Sequence, residues 1–411
     1  MIDVLTPASR SMGEIRHVAV AIPLAYREDG DFWGRDAGLL VRGFRELGYR
    51  ASLVALAGEA PRVSGDQAEG LALGTPSELS SPEWWKNLEI EGAVLYGWGL
   101  RHFSGIREAM RASVPHFAEH MDTDGMRSPR LGLLSFFYLS WAQAMARRGA
   151  VNSQSLAFFP AALSALAWTA GSLLASPWRG RSAVKIPAGI SNLLVESPLS
   201  KERISRWLHL YGFSSQNVHL CPASVEFASL PVPGGQHRPP NIVAVGRWTS
   251  FQKNLPTLWK VAQKFVETNP GAEFHFVGEM PGGFKPSRGL FVHGRIPRDE
   301  IGRLYAKSRI LIAASRYESF HLAAAEALCC GCSVVLPESL PTAEWFASVS
   351  SGTVALSASH RHLLAALDQE NSLWNAGARS PETIASHWRE VLCPEGHARR
   401  IISLWEEEAV K

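Results

Sequence analysis

The chain has 411 residues, of which 46% are apolar, and a formal net charge of +3. This length predicts two domains, and the apolar share is enough to give each a large core. The small net charge, without a concentrated Lys/Arg run, argues against a nucleic-acid-binding protein. The odd cysteine count argues against a disulfide framework, so we interpret Cys329, Cys330 and Cys332 as small buried side chains, with a metal site as the alternative.

The first hundred residues predict alternating strands and helices. Residues 17–23 are a buried strand, 37–47 a helix and 49–57 a second strand, the opening of a doubly wound parallel sheet. Further strands are expected at 91–97 and 114–118. The first 14 residues lack an apolar core of signal-peptide length, which predicts a cytoplasmic protein.

Residues 131–178 form an unusually apolar segment, and its part from 149 to 178 carries no charge. Residues 156–175 have about the length of a membrane span. Pro160 interrupts this stretch, and a single span would place the two domains on opposite sides of the membrane. Three interpretations remain open: buried helices, a patch lying on a membrane surface, and a true span. Four arginines flank the uncharged part, as in an interfacial segment or at solvated helix ends: Arg147, Arg148, Arg179 and Arg181.

The Pro- and Gly-rich stretch 230–240 is the clearest linker. Before it we expect a strand at 191–196 that closes the first sheet, a helix at 200–211 and a strand at 218–223. The predicted organisation is a first domain at 1–228, a hinge at 229–240, a second domain at 241–394 and a helix at 395–411 that returns toward the first domain.

The second domain again alternates strands and helices, which predicts a second parallel sheet. Strands are expected at 242–245 and 273–277, and helices at 255–268 and 297–306, with small elements from 353 onward. Ligands bind at the carboxyl ends of the strands in open α/β sheets.

Residues 309–337 form the most informative unit. A strand at 309–314, a loop, a helix at 321–330 and a strand from 333 are expected. Glu318 lies on the loop and Glu326 lies about a turn and a half into the helix. Between these acids, the N–H groups of Phe320, His321 and Leu322 start the helix and favour a phosphate. Two hydroxyl-binding carboxylates that flank an anion site match the layout of a sugar nucleotide.

The pattern E-S-F-H-L-x-x-x-E-A-L-x-x-G resembles the E-x7-E signature of retaining GT-B glycosyltransferases, the group often called family 4. Upstream, Gly246-Arg247 and Lys253-Asn254 are similar to the family's G-R-x5-K-N. Residues 276–278 and 292–295 fit in order and spacing. The resemblance covers about 195–356 well and the first half loosely. It implies two Rossmann-like parallel-sheet domains facing a central cleft.

The resemblance also implies residue roles. Arg247 and Lys253 would bind the donor diphosphate, Glu326 the ribose hydroxyls, and Glu318 the transferred sugar, which it would orient. A histidine after the strand at 114–118 often contacts the donor sugar in this family, and His120 lies close to that place. The remaining implied donor-binding residues are Gly34 in the first loop, Gly278, Arg295, Phe320, His321 and Leu322.

The implied activity is retaining transfer of a hexose from a UDP- or GDP-sugar to a glycan, a lipid-linked sugar or a small molecule, in glycan or glycoconjugate biosynthesis. Arg247, Lys253 and the helix end would replace a metal ion, although Asp122 and Asp124 could share a hard cation. Two alternatives remain. One is a nucleotide-sugar- or glycan-binding protein with a decayed active site. The other is an epimerase or phosphorylase of the same fold.

Overall fold

A computed structural model describes residues 15–26, 32–34, 36–57, 70–121, 133–147, 158–174, 176–227, 230–231 and 238–410. The chain divides into two compact units. The first comprises residues up to His120 together with His397–Lys411, and the second comprises Met121–Gly396. The domain boundaries predicted at 228 and 241 stay a prediction.

Seven parallel strands form the first sheet, in the order β3-β2-β1-β4-β5-β6-β7. The central strand β1 pairs with β2 through His17 opposite Arg50, and with β4 through Val18 opposite Gly92. The near-continuous burial of β1 is typical of a parallel strand covered on both faces. The strands are β1 (His17–Ala25), β2 (Arg50–Leu56), β3 (Leu71–Gly74), β4 (Gly92–Leu95), β5 (His116–His120), β6 (Asn192–Val195) and β7 (Val218–Leu220).

A second sheet of six parallel strands has the order β10-β9-β8-β11-β12-β13. The predicted motifs follow the carboxyl ends of its strands β8, β9 and β11. The strands are β8 (Asn241–Val245), β9 (Glu273–Val277), β10 (Leu290–Gly294), β11 (Ile310–Ile312), β12 (Ser333–Pro337) and β13 (Gly352–Ala355). The prediction of two parallel α/β sheets is confirmed.

Fifteen α-helices lie within the described residues. Most follow the βα alternation that places helices on both faces of a parallel sheet. They are α1 (Asp36–Glu46), α2 (Pro76–Leu79), α3 (Pro82–Lys86), α4 (Ser104–Ser113), α5 (Leu133–Arg147), α6 (Phe158–Leu174), α7 (Ser176–Ala188), α8 (Pro198–His209), α9 (Leu255–Thr268), α10 (Arg298–Lys307), α11 (Leu322–Cys329), α12 (Ala343–Ala347), α13 (His360–Asn375), α14 (Pro381–Val391) and α15 (Pro394–Val410).

The final helix packs into the first unit. Trp405 of α15 is fully buried and stacks parallel to Phe44 of α1, with ring centroids 6.2 Å apart. A Cβ at Gly92 of β4 would lie 2.6 Å from the Trp405 ring, so only glycine fits there. This close approach fixes the C-terminal helix against the first sheet.

Several expectations about elements were wrong. The strand 191–196 does not close the first sheet, because β7 lies beyond β6 at the edge. Strand β3 was not expected, since its four residues give too short a pattern. The elements after 353 are not small: α13 has 16 residues, and α14 has 11.

The apolar segment 131–178 contains α5 and α6. Their shared core consists of Ala142, Ala144, Met145, Ala165 and Phe251. No helix within the described ranges is both long and apolar enough to cross a membrane. The buried-helix interpretation does not fit α6, which leaves several leucines exposed.

Two buried or half-buried arginines hold the described ends of the predicted linker to the second unit. Arg238 donates to the carbonyl oxygens of Ser308 (2.7 Å) and Cys330 (2.6 Å). Arg389 donates to the Leu230 carbonyl oxygen at 2.7 Å. Hydrogen bonds from charged donors to buried carbonyls are among the stronger ones, so residues 230 and 238 are fixed points.

Candidate active site in the second unit

Glycines let the carboxyl ends of β8, β9 and β10 approach one another. The N–H of Gly278 donates to the Gly294 carbonyl at 2.7 Å, and the Gly246 N–H donates to Val277 at 3.1 Å. Gly278 has φ +116°, and a Cβ there would lie 2.0 Å from the Gly246 carbonyl oxygen. The backbone conformation and the close contact therefore require glycine at position 278, whether or not a ligand contacts it.

The loop after β8 presents Lys253 through a short 3-10 helix, Phe251–Lys253. The Ser250 side chain caps this turn, and Asn254 ends it in the left-handed conformation at φ +53°. Asparagine tolerates that conformation better than most residues. Its Oδ1 then accepts from Thr257 Oγ1 at 3.0 Å in the first turn of α9. In the Lys-Asn pair, Lys253 therefore supplies the cation, and Asn254 turns the backbone sharply into helix α9.

Arg316 fixes the loop after β11 to the loop after β8. Its guanidinium donates to Asn254 Oδ1 at 2.8 Å, and its backbone N–H donates to the Gln252 carbonyl at 2.8 Å. The same guanidinium lies 4.3 Å from the Phe251 ring centroid, a favourable cation–π contact. The two predicted motifs are thus held together as one structure.

Glu318 and Lys253 form an ion pair at the centre of this structure. Gln252 Nε2 donates to the other carboxylate oxygen at 3.1 Å and to the Tyr317 carbonyl at 2.9 Å. Burial would raise the pKa of Glu318, but Lys253 and His321 lower it by more, so its pKa lies below the usual value. Glu318 therefore stays a carboxylate at neutral pH.

His321 is the N-cap of α11 and lies beside Glu318. Its Nδ1 accepts from the Ala324 N–H at 3.1 Å. Burial lowers the pKa of His321 to about 4, so the ring is neutral. With Nδ1 as acceptor, Nε2 carries the proton and is a neutral donor. Contrary to expectation, the Leu322 N–H is not free, because it donates to the Phe320 carbonyl at 3.0 Å.

Glu326 lies one turn further along α11 and has different partners. Arg298 at the start of α10 donates to its Oε1 at 3.0 Å. The Tyr305 hydroxyl lies 3.5 Å from its Oε2. Burial and the Glu326 charge raise the pKa of Tyr305 well above its usual value, so this hydroxyl stays a neutral donor.

The other two predicted cations are at the surface. Arg247 directly follows Gly246 and is exposed, and its guanidinium has no hydrogen bond to the described part of the chain. Arg295 follows β10, and its Nη2 lies 2.8 Å from Glu279 Oε2 in an exposed ion pair. Such a pair contributes about 1 kcal/mol or less to stability, so it holds Arg295 only weakly.

His120 and Gly34 belong to the first unit. His120 was expected just after a strand but is the last residue of β5, because that strand runs two residues further. It is buried, stacks on Tyr96 and lies 3.2 Å from His397 between Nε2 atoms. Burial lowers the pKa of His120 to about 3. Gly34 lies in a half-buried bend before α1.

The alternative metal ligands Asp122 and Asp124 lie outside the described residues. Within those residues, no group of three His, Cys, Asp or Glu side chains could hold a metal ion. The three clustered cysteines are buried and unpaired. Burial raises the pKa of Cys332 to about 11 and those of Cys329 and Cys330 further, so all three are neutral thiols.

Sequence reasoning missed Gln252, Arg298 and Arg316. Gln252 directly precedes Lys253, and this adjacency in the sequence was a signal that could have identified it. Arg298 and Arg316 lie 28 and 10 positions before Glu326, and only the fold brings Arg298 to that carboxylate.

Residues 239–368 match the family model described as glycosyl transferases group 1. No curated protein matches the sequence.

Solved structures match almost the whole chain. Sucrose-phosphate synthase from Thermosynechococcus elongatus is 12% identical, with a TM-score of 0.63 over 96% of this chain and 99% of its own. A glycosyltransferase from Rickettsia africae is 13% identical, with a TM-score of 0.61 over 97% and 100%. The Anabaena protein HepE, in complex with UDP and glucose, is 10% identical, with a TM-score of 0.59 over 95% and 100%. At these identities the match shows the fold. The chain therefore has the GT-B fold, and its residues 239–368 match the group 1 glycosyl transferase family model.

Proposed function

We propose that the protein is a glycosyltransferase that moves a hexose from a nucleoside diphosphate sugar to an acceptor with retention of configuration. The observation that carries this proposal is the joined pair of loops, in which Lys253 and Glu318 contact each other while Arg247 lies exposed on the same loop as Lys253. Cations next to hydroxyl-accepting carboxylates suit a diphosphate linked to a sugar. The similar Anabaena structure is a complex with UDP and glucose, which supports a UDP- or GDP-sugar donor.

In this proposal the donor replaces an internal ion pair. The diphosphate takes Lys253 and Arg247, and the sugar hydroxyls take the carboxylate oxygens of Glu318. The exchange conserves charge pairing for Lys253, because one anion replaces another. Gln252 keeps its bond to the Tyr317 carbonyl, which would hold the Glu318 loop in place during the exchange. The neutral Nε2–H of His321 offers one further donor beside the carboxylate.

The reaction breaks the bond between the sugar C1 and the diphosphate oxygen and forms a bond from C1 to an acceptor oxygen on the same face. The acceptor proton passes to the leaving phosphate oxygen. Lys253, Arg247 and the Phe320 and His321 N–H groups would stabilise the negative charge that develops there. Glu326 would bind the ribose, and Gly278 and Arg295 would line the donor. His120 and Gly34 are proposed contributions of the first unit.

The proposed reaction needs no divalent metal, since the cationic side chains neutralise the leaving group. Turnover should therefore persist in excess chelator. Complete loss of turnover on chelation, restored by a divalent ion, would contradict metal independence and make Asp122 and Asp124 the candidate metal ligands. We further propose a cytoplasmic enzyme of glycan or glycoconjugate biosynthesis that touches a membrane through residues 131–178.

A thermal-shift screen of UDP-, GDP- and ADP-sugars tests the function directly. A ligand at 100 times its dissociation constant stabilises the folded state by about 2.7 kcal/mol, so a true donor stands out. Hydrolysis of that donor then separates an enzyme from a binding protein, and the anomer of the product reports retention. No stabilisation by any nucleotide sugar at millimolar concentration would overturn the proposal.

A further inference from the structure

One side of helix α6 leaves large apolar side chains in solvent. Leu163 is 69% exposed, Leu166 53% and Leu174 75%. At 100° per residue these three positions lie within one narrow arc of the helix, which we call the leucine face. Away from this face, Ala165 and Thr169 are fully buried.

The leucine face is not the usual outer side of a surface helix. Such a helix normally carries charged or polar residues toward water, whereas α6 contains no charged residue over its 17 positions. Large exposed apolar surfaces mark interaction sites. The sequence around α6 indicates what covers this one.

Residues 125–195 contain seven Arg and Lys residues and no Asp or Glu. The whole chain carries +3, so the remainder of the chain carries −4. Positive charge is therefore concentrated in the segment that contains the leucine face. Lys185 on α7 is one of these residues and is exposed.

We propose that the leucine face of α6 docks on an anionic lipid bilayer, with the helix lying in the plane of the interface. Apolar side chains beside an exclusively basic segment are the chemistry of interfacial helices, and each cation near an anionic surface strengthens the attachment. A second copy of the chain fits less well. A two-fold contact through this face would bring two segments of charge +7 together without an acidic residue in either.

Helix α5 connects the docking surface to the candidate active site. It packs on α6 in one core, and its Trp141 meets the Phe251 ring edge-on with centroids 5.3 Å apart. Phe251 lies two residues before Lys253, and Tyr317, one residue before Glu318, packs against the same core. If the proposed function is correct, docking therefore holds the donor-binding loops in the same packed body as the membrane-bound helix.

Co-sedimentation of the full chain with vesicles tests the docking without any nucleotide. Vesicles of phosphatidylcholine alone are compared with vesicles that contain 30% phosphatidylglycerol, at low salt and at 0.5 M salt. We expect binding to the anionic vesicles only, weakened at least tenfold by salt. The double variant Leu163→Gln/Leu166→Gln should weaken it at least tenfold. The matched control is Leu356→Gln, since Leu356 is 73% exposed outside the basic segment.

Replacing Arg179 and Arg181 with glutamine should also weaken binding, whereas Lys264→Gln should not. Light scattering of the lipid-free protein tests the second-copy alternative. Equal binding to neutral vesicles, no binding at low salt, or no effect of the leucine variant would overturn the proposal. So would a dimer that the leucine variant converts to monomers. Because these assays contain no donor and the thermal-shift screen contains no lipid, the membrane docking and the donor binding can fail separately.

Discussion

The two acids of the E-x7-E pattern, Glu318 and Glu326, have opposite environments. Glu318 lies on a loop after β11, is buried and pairs with Lys253, itself a predicted donor ligand. Glu326 lies inside α11 and pairs with Arg298, which belongs to no predicted motif. The partner of Glu318 is thus a residue that would also bind the donor diphosphate, whereas the partner of Glu326 has no other proposed role.

The difference teaches how one motif can serve two purposes. A donor that takes Lys253 also releases Glu318, so the proposed sugar contact forms only when the diphosphate is in place. Glu326 accepts from Arg298 at 3.0 Å, a bond that the proposed exchange does not break. An interaction that strengthens in the transition state changes rate, whereas an unchanging one changes affinity. We therefore expect Glu318 to control kcat and Glu326 to control donor binding.

The largest expected effect comes from Lys253→Ala. Removing one electrostatic donor to a developing charge typically lowers kcat by about 10²–10³. The same variant leaves the buried Glu318 carboxylate without its cation, which costs about 2–3 kcal/mol of folding free energy. Steady-state turnover and urea unfolding measure the two effects. Lys264→Ala, which removes an exposed lysine of α9, is the control, and near-normal turnover in the Lys253 variant would remove Lys253 from the site.

Next in size is Glu318→Gln. The amide keeps the shape but loses the charge that strengthens hydrogen bonds to the reacting sugar. We expect kcat to fall about 10²-fold while the donor KM changes about threefold or less. A large rise in KM with unchanged kcat would show that Glu318 contributes to ground-state binding of the donor. The proposed difference between the two acids would then be wrong.

Arg298→Gln, which removes the partner of Glu326, should have a smaller effect on the reaction. Loss of a charged hydrogen bond of about 1.5 kcal/mol would let Glu326 move and raise the donor KM about tenfold. The kcat value should be preserved. Arg303→Gln on the same helix is matched, because its Nη2 pairs with an exposed aspartate. Equal KM values in the two variants would show that Arg298 does not position Glu326.

The last effect concerns acid stability and leaves turnover at neutral pH aside. His321 has a pKa of about 4 in the folded chain against 6.5 as its ordinary value. Between these values the unfolded chain binds the extra proton, so stability is complete above pH 6.5 and falls as the pH falls toward 4. The slope is about 1.4 kcal/mol per pH unit for this histidine.

His321→Asn should remove that slope while keeping a helix N-cap. Urea unfolding between pH 4.5 and 6 measures it, and His209→Asn at an exposed position serves as control. An unchanged slope in the His321 variant would show that the ring is charged beside Glu318 in the folded state.

The fold of the second unit could largely be predicted from the sequence. Helix α9 and strand β9 have the predicted bounds, because the apolar period and the flanking Pro, Asn and Gly residues are local signals. The first unit was harder. Its β3 is too short for a pattern, and the position of α15 depends on Trp405 fitting over Gly92, a contact between residues more than 300 positions apart.

The candidate site follows the same division. The motif residues Lys253 and Glu318 could be named from spacing, and the fold brings them into contact. That they bind each other could not be predicted, since spacing carries no information about partners across two loops. The environment of His120 was also hidden: its burial against His397 depends on where the final helix packs.

Binding of the free nucleoside diphosphate tests the division between the two acids most directly, because this ligand has the ribose and the diphosphate but no sugar. Isothermal titration of UDP or GDP, whichever base the screen identifies, is compared for the unmodified chain, Glu318→Gln and Glu326→Gln. We predict that affinity falls about tenfold in the Glu326 variant, from the loss of about 1.4 kcal/mol. In the Glu318 variant affinity should be equal or higher, since Lys253 no longer has an internal carboxylate to leave. Equal losses of affinity in both variants would contradict the assignment of the two carboxylates to opposite ends of the donor.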